Sequence, residues 1–99
     1  MKASFVYLLR SSKDGNFYVG WTTDLKRRLE EHNAGLTRST KNRRPFELLY
    51  YETYSSPKLA KNRERALKRN PNMLFHFKKR GLSKLSDKVG PSGRRQVVG

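Results

Sequence analysis

The sequence predicts a small α+β domain with the element order β-β-α-β-α-α. Three observations carry that prediction. Two apolar, β-favouring runs, 5–10 and 17–21, flank an Asp-Gly turn, and a third, aromatic run follows at 46–54. The stretches between and after them have helical spacing and end on helix-breaking residues.

Phe5 to Arg10 reads FVYLLR and fits a buried strand. Lys13-Asp14-Gly15-Asn16 supplies the turn of an antiparallel hairpin over residues 5–21, and Gly20 marks a place where backbone or ligand comes close. Thr22 and Thr23 are N-cap residues for the first helix, with Asp24 in its first turn and Leu25 and Leu29 as an i, i+4 apolar pair. That helix runs to about Asn33, and Gly35 closes it as a left-handed cap. Residues 36–45 read as a polar, basic loop. Ser56-Pro57 starts the second helix, which places Leu59, Ala60, Ala66 and Leu67 on one side and breaks at Asn70-Pro71. Met73 to Lys79 restarts a short amphipathic helix expected to cap the sheet with Leu74, Phe75 and Phe77, with His76 packed between the two aromatics. The domain is expected to span residues 1–80, and residues 81–99 to form a basic, flexible tail.

With 99 residues and 34% hydrophobic content, the chain builds one modest core. The absence of cysteine excludes disulfides and thiolate zinc sites. No apolar run approaches the roughly 20 residues that span a bilayer, and the N-terminus has no signal-peptide pattern, so a cytoplasmic location is expected. Charge is the dominant message. Twenty-three Lys and Arg stand against eight Asp and Glu, a net charge of +15 that points to nucleic acid. The most basic helix lacks the wide apolar face a membrane surface would need.

Within that field a few side chains suit chemistry on a phosphodiester. Arg28 and His32 are four apart on one helical stripe with Asp24, which offers Arg28 an intrahelical partner. Tyr7 and Tyr18 lie on neighbouring strands, where register decides whether they share a face. A phenol serves as a base only with electrostatic help, since its free pKa is about 10. Glu64 is the single acid of the helix 57–70; it either pairs with Lys68 or anchors a divalent metal. Glu47 and Glu52 compete for the metal role if their strand faces point at Arg28. There is no P-loop, no HExxH and no His/Cys cluster.

These residues together resemble the GIY-YIG endonuclease superfamily, most closely its short stand-alone bacterial members of the excinuclease-C-like type. Val6-Tyr7-Leu8 stands in place of the first tripeptide and Tyr18-Val19-Gly20 in place of the second. The stretches YVGWTTDLKRRLEEHNAG (18–35) and STKNRRPFELLYYE (39–52) follow the same pattern, over about residues 4–80. The first tripeptide departs from the family name at Val6 and Leu8 but keeps Tyr7. The resemblance implies a three-stranded antiparallel sheet flanked by helices. It also implies catalytic roles for Tyr7, Tyr18, Arg28, His32 and Glu64, with Glu64 as ligand of Mg²⁺ or Mn²⁺. Tyr7 is favoured over Tyr18 as the base. A family asparagine has two candidates, Asn70 and Asn72.

The expected function is therefore a metal-dependent DNA endonuclease, structure-selective in repair or recombination, with RNA left open as substrate. Arg27, Arg38, Lys41, Arg43, Arg44, Lys61 and Lys68 are the expected phosphate contacts. The alternative is a non-catalytic nucleic-acid-binding module with the same fold. Oligomeric state is not legible in the sequence.

Overall fold

A computed structural model of the chain describes residues 3–89. Its elements are β1 (Ser4–Ser11), β2 (Phe17–Thr22), α1 (Leu25–Asn33), β3 (Phe46–Tyr54), α2 (Pro57–Arg69) and α3 (Pro71–Val89), with one 3-10 turn at Lys41–Arg43. This is the expected order. The sheet is antiparallel with β1 in the middle, in the order β2-β1-β3.

Strand alternation divides the sheet into two faces. Register pairs Tyr7 with Gly20 and Tyr51, and Leu9 with Tyr18 and Leu48, which places all six on the face covered in part by α1. There Tyr7, Leu9 and Phe46 form a small buried cluster, closed by Tyr18, Leu25, Leu29 and Leu48. The other face carries Val6, Leu8 and Val19, buried against Ala60 and Leu67 of α2 and Phe77 of α3. An irregularity between Leu8 and Leu9 shifts the pairing with β3 by one residue.

The helix ends obey local chemistry, with one change. Asp24 is itself the N-cap of α1, its side chain accepting from the Arg27 N–H, while Thr22 Oγ1 accepts from the Asp24 N–H to form the preceding turn. A threonine cap was expected; the carboxylate takes the position because it is the better acceptor for the first-turn amides and for the dipole. At the other end Gly35, at φ 81°, donates to the His32 carbonyl and Leu36 to that of Glu31, the paired bonds of a Schellman closure. Ser56 caps α2 with Pro57 at its first position. Asn70 Oδ1 accepts from the Asn72 and Met73 amides and opens α3.

The helix expected to stop at Lys79 continues to Val89, so residues 81–89, read as tail from composition, are helical. Gly81 does not end this helix. It is a contact glycine, since a Cβ there would lie 2.6 Å from Leu8 Cδ2 and 3.4 Å from the Cβ atoms of Leu49 and Tyr50. The rest of the expected tail, 90–99, lies outside the described residues. Three side chains also differ from expectation. Leu59, Phe75 and His76 are exposed, because Ala60, Leu67 and Phe77 take the positions that face the sheet.

Candidate active site

The register answers the question left by the two tyrosines. Tyr7 and Tyr18 share the α1 face as diagonal neighbours, with ring centroids 6.4 Å apart. The glycine of the second tripeptide lies directly across from Tyr7, and the phenol ring lies over it. A Cβ at position 20 would sit 2.6 Å from Tyr7 Cζ and collide with its hydroxyl. Gly20 is thus required by close approach, and what approaches is Tyr7.

His32 reaches this face from α1 and is fully buried. Its Nε2 lies 3.0 Å from Tyr7 Oη and its Nδ1 lies 2.8 Å from Thr40 Oγ1. Thr40 Oγ1 is also 3.4 Å from the Thr37 carbonyl oxygen, to which only the hydroxyl can donate. One assignment satisfies every group: Nδ1–H donates to Thr40, and Nε2 accepts from the Tyr7 hydroxyl. The histidine is therefore neutral. Burial, then the Arg28 charge, push its pKa down to about 4. Burial also pushes the Tyr7 phenol up to about 12, although Arg28 beside it pulls the other way.

Arg28, with a third of its side chain exposed, donates to Glu31 at 3.0 Å, not to Asp24. Arg27 pairs with the other Glu31 oxygen at 3.2 Å. Beside them a groove of about 290 Å³ is lined by Trp21, Thr22, Asp24, Arg27, Arg28 and Glu31. From α2, past the edge strand β2, Glu64 and Lys68 complete the cluster. Lys68 Nζ pairs with Glu64 at 3.1 Å and lies 5.5 Å from the centre of the Tyr18 ring. The Glu64 charge is near enough to Tyr7 to push its phenol upward. Tyr7, Tyr18, Arg28 and His32 thus gather on one face of the sheet, and Glu64 joins them from α2 through Lys68 and through its charge.

The rival acids do not. Glu52 is the register partner of Val6 and Glu47 of Arg10, both on the face away from Tyr7. Glu52 accepts instead from Tyr54, Arg63 and Arg80. Among the described residues no group of three or more His, Cys, Asp or Glu side chains is placed to hold a metal ion. Glu64 by itself fits a site of one carboxylate, waters and substrate phosphate oxygens, the donor set that suits Mg²⁺.

Of the expected phosphate contacts, Arg43 is spent on the fold. It holds Asp14 at 2.8 Å, donates to the Phe17 carbonyl and lies over the Phe46 ring. Arg44 donates to the Lys41 carbonyl yet stays exposed, as do Arg27, Arg38, Lys41, Lys61 and Lys68. Asn70 is occupied as the α3 cap, and Asn72 is exposed. Thr40 and Glu31 were not singled out by sequence. Glu31 had a visible signal, its i, i+3 spacing from Arg28. Thr40 had none, since its partner is fixed only when the 36–45 loop folds back over α1.

The domain is thus a three-stranded sheet with tyrosines on two adjacent strands, backed by a helix that carries Arg28 and His32. Residues 3–79 match the family model of the GIY-YIG catalytic domain, and the chain belongs to this family of nuclease domains. It is similar to UPF0213 protein DP2720 of Desulfotalea psychrophila, with 41% identity over 88 residues, 87% of this chain and 76% of that protein. UPF0213 protein SpyM50708 of Streptococcus pyogenes serotype M5 is 42% identical over 69 residues, 69% of this chain and 74% of that one. The solution NMR structure of the UPF0213 protein BH0048 from Bacillus halodurans aligns with a TM-score of 0.48 and 30% identity, covering 85% of this chain and 97% of that one. No helix among the described residues is long and apolar enough to cross a membrane.

Proposed function

We propose that this chain is a divalent-metal-dependent DNA endonuclease that selects DNA by structure, in repair or recombination. The observation that carries the reading is the convergence of Tyr7, Tyr18, Arg28 and His32 on one face of a sheet, with the Glu64 charge in range of Tyr7, in a protein of net charge +15. Selection by structure follows from size: the exposed cations suit backbone phosphates, and so small a surface offers few positions for base readout.

In this reading Arg28 meets the scissile phosphate. Its permanent charge and planar fork suit the charge that builds on the equatorial oxygens, and Glu31 keeps the guanidinium in place until phosphate replaces it. Tyr7 orients the attacking water. As the new P–O bond forms, Oη takes the water proton and the phenol's own proton moves to His32 Nε2, while Thr40 holds the opposite ring nitrogen. The charge on Arg28 helps hold His32 down, so a bound phosphate that offsets this charge makes the imidazole a better acceptor when it is needed. Tyr18 packs against His32 at 5.0 Å and keeps the ring in register. Glu64 would hold Mg²⁺ or Mn²⁺, which when bound supplies Lewis-acid stabilisation of the leaving oxygen. Arg27, Arg38, Lys41, Arg44, Lys61 and Lys68 are assigned to flanking phosphates.

The test is cleavage of labelled duplex, single-stranded, flap and branched DNA with Mg²⁺ or Mn²⁺ by the wild type, Arg28→Ala and Glu64→Ala. Wild-type cutting that falls at least about a hundredfold in both variants is the expected result. Binding by all three proteins without any cutting would leave the non-catalytic module as the answer.

A further inference from the structure

Part of the α1 face is covered by no helix among the described residues. Phe5 and Tyr51 lie there, and neither belongs to a buried cluster. Tyr51 is 49% exposed, the most exposed aromatic of the sheet. Its ring and that of Phe5 are perpendicular, at 80° with centroids 5.8 Å apart, so each fixes the orientation of the other. Such a cross-strand pair stabilises a sheet wherever it occurs. Its position here says more.

Tyr51 is the direct register partner of Tyr7. Opposed residues of an antiparallel pair have Cβ atoms about 4.5–5.5 Å apart, so the two side chains rise from neighbouring positions, the Tyr7 ring leaning over Gly20 on β2 and the exposed ring standing on β3. A nucleic-acid strand whose phosphate is held at Arg28, beside the Tyr7 phenol, meets this ring by running across β1 on the same face. The protein's +15 charge brings a polyanion to this face, and an oriented aromatic ring then offers a surface on which any base stacks. A base inside a duplex has both of its faces covered by neighbours. Only an unpaired one is free to use the ring.

We propose that Tyr51, oriented by Phe5, is a stacking platform for one unpaired base beside the bond to be cut. The substrate class is then DNA with a single-stranded or splayed segment at the cleavage point. This inference rests on the nuclease reading and deepens it.

The test separates the two. A 12-mer single strand carrying one 2-aminopurine is titrated with the full chain in EDTA, where no turnover intervenes. Wild type and Tyr51→Phe should quench the probe. Tyr51→Ala should bind it about five- to hundredfold more weakly and with little quenching, while its affinity for a blunt duplex stays unchanged. With Mg²⁺, the wild type should cut a splayed-arm DNA faster than the matched duplex, and Tyr51→Ala should lose that preference while still cutting duplex. Equal quenching and equal preference in Tyr51→Ala would overturn the platform and leave the nuclease standing. A wild type that cuts neither DNA would overturn the nuclease reading, and the platform with it as a cleavage device.

Discussion

The two faces of this sheet use the same strand for opposite purposes. Along β1, Val6 and Leu8 point into an apolar core closed by α2 and α3, while Tyr7 between them points at His32 and Arg28. On the core face, charge is matched on the spot. Glu52, only 15% exposed, is held by Arg63 at 2.9 Å and Arg80 at 3.5 Å and accepts from Tyr54 at 2.7 Å. On the other face, the buried chain Tyr7–His32–Thr40 is neutral, and the charged groups around it have partly exposed partners that a ligand can replace. A satisfied ion cluster fixes structure; a neutral relay beside weakly held charges is available for chemistry.

A pair of glycines gives the sharpest way to break that comparison, and the largest expected effect. Gly20→Ala places a methyl group against a buried, hydrogen-bonded phenol, which must leave His32 to make room. Displacements of about 1 Å at a reacting group can cost about a hundredfold in rate, so cleavage should fall at least that much. Stability should fall as well, by about 1–3 kcal/mol, because the methyl group overpacks Tyr7 and leaves His32 short of a partner. Gly81→Ala is the mirror case. The methyl group overpacks Leu8, Leu49 and Tyr50, an effect of about 1–3 kcal/mol that the better helix propensity of alanine offsets by about 1 kcal/mol. Stability should fall and the rate per folded molecule should hold. Equal effects on rate from both glycines would mean that the faces are not functionally distinct.

These glycines also show how much of the molecule was legible in the sequence. Boundaries that carry their own chemistry were readable, such as Ser56 before Pro57 or Gly35 behind His32, because caps and turns are decided within a few residues. Gly81 was not, since the reason for a glycine there is the approach of Leu8 from a distant strand. The stripe Arg28–His32 could be read from spacing, but what each residue bonds could not. Asp24 and Glu31 were both within reach of Arg28, and the cap took Asp24. Tyr7 and Tyr18 needed a register that the turn alone does not specify, and Thr40 needed a folded loop.

The next effect belongs to the core face. Glu52→Ala removes the acceptor of Tyr54 and the counter-charge of Arg63 and Arg80 together. Because the cluster is partly solvated, the expected loss is about 2 kcal/mol, below the roughly 3–5 kcal/mol of a fully buried pair broken on one side. Urea denaturation should report that loss, with cleavage per folded molecule unchanged. A fall in rate without a fall in stability would return Glu52 to the list of metal ligands.

His32 should make the stability of the site face depend on pH. Its folded pKa, about 4, lies below the ordinary 6.5, so between these values the unfolded chain binds a proton that the folded chain refuses. Stability is therefore complete above the unfolded value and declines as pH falls from 6.5 toward 4. From pH 7 to pH 5 the loss should be about 2 kcal/mol. Urea midpoints at the two pH values measure it, and His32→Gln should remove the dependence. A wild type equally stable at both would mean that the imidazole is protonated in the fold, and the neutral relay would be lost.

The smallest effect concerns Lys68, which touches both an aromatic and an acid of the site. Lys68 Nζ shares its charge between Glu64 and the Tyr18 ring, and half of its side chain is exposed. As a phosphate contact it should contribute one released counterion, so Lys68→Ala should flatten the slope of log K against log salt by about 0.9 for duplex DNA. As a competitor for Glu64 it should do the opposite for a divalent ion, and the variant should reach half-maximal cleavage at a lower Mg²⁺ concentration, by about twofold to fivefold. The two roles separate cleanly because one is read from binding in EDTA and the other from the metal dependence of cutting. An unchanged salt slope with a lowered Mg²⁺ requirement would assign Lys68 to guarding the carboxylate, and the reverse pattern would assign it to the backbone of the DNA.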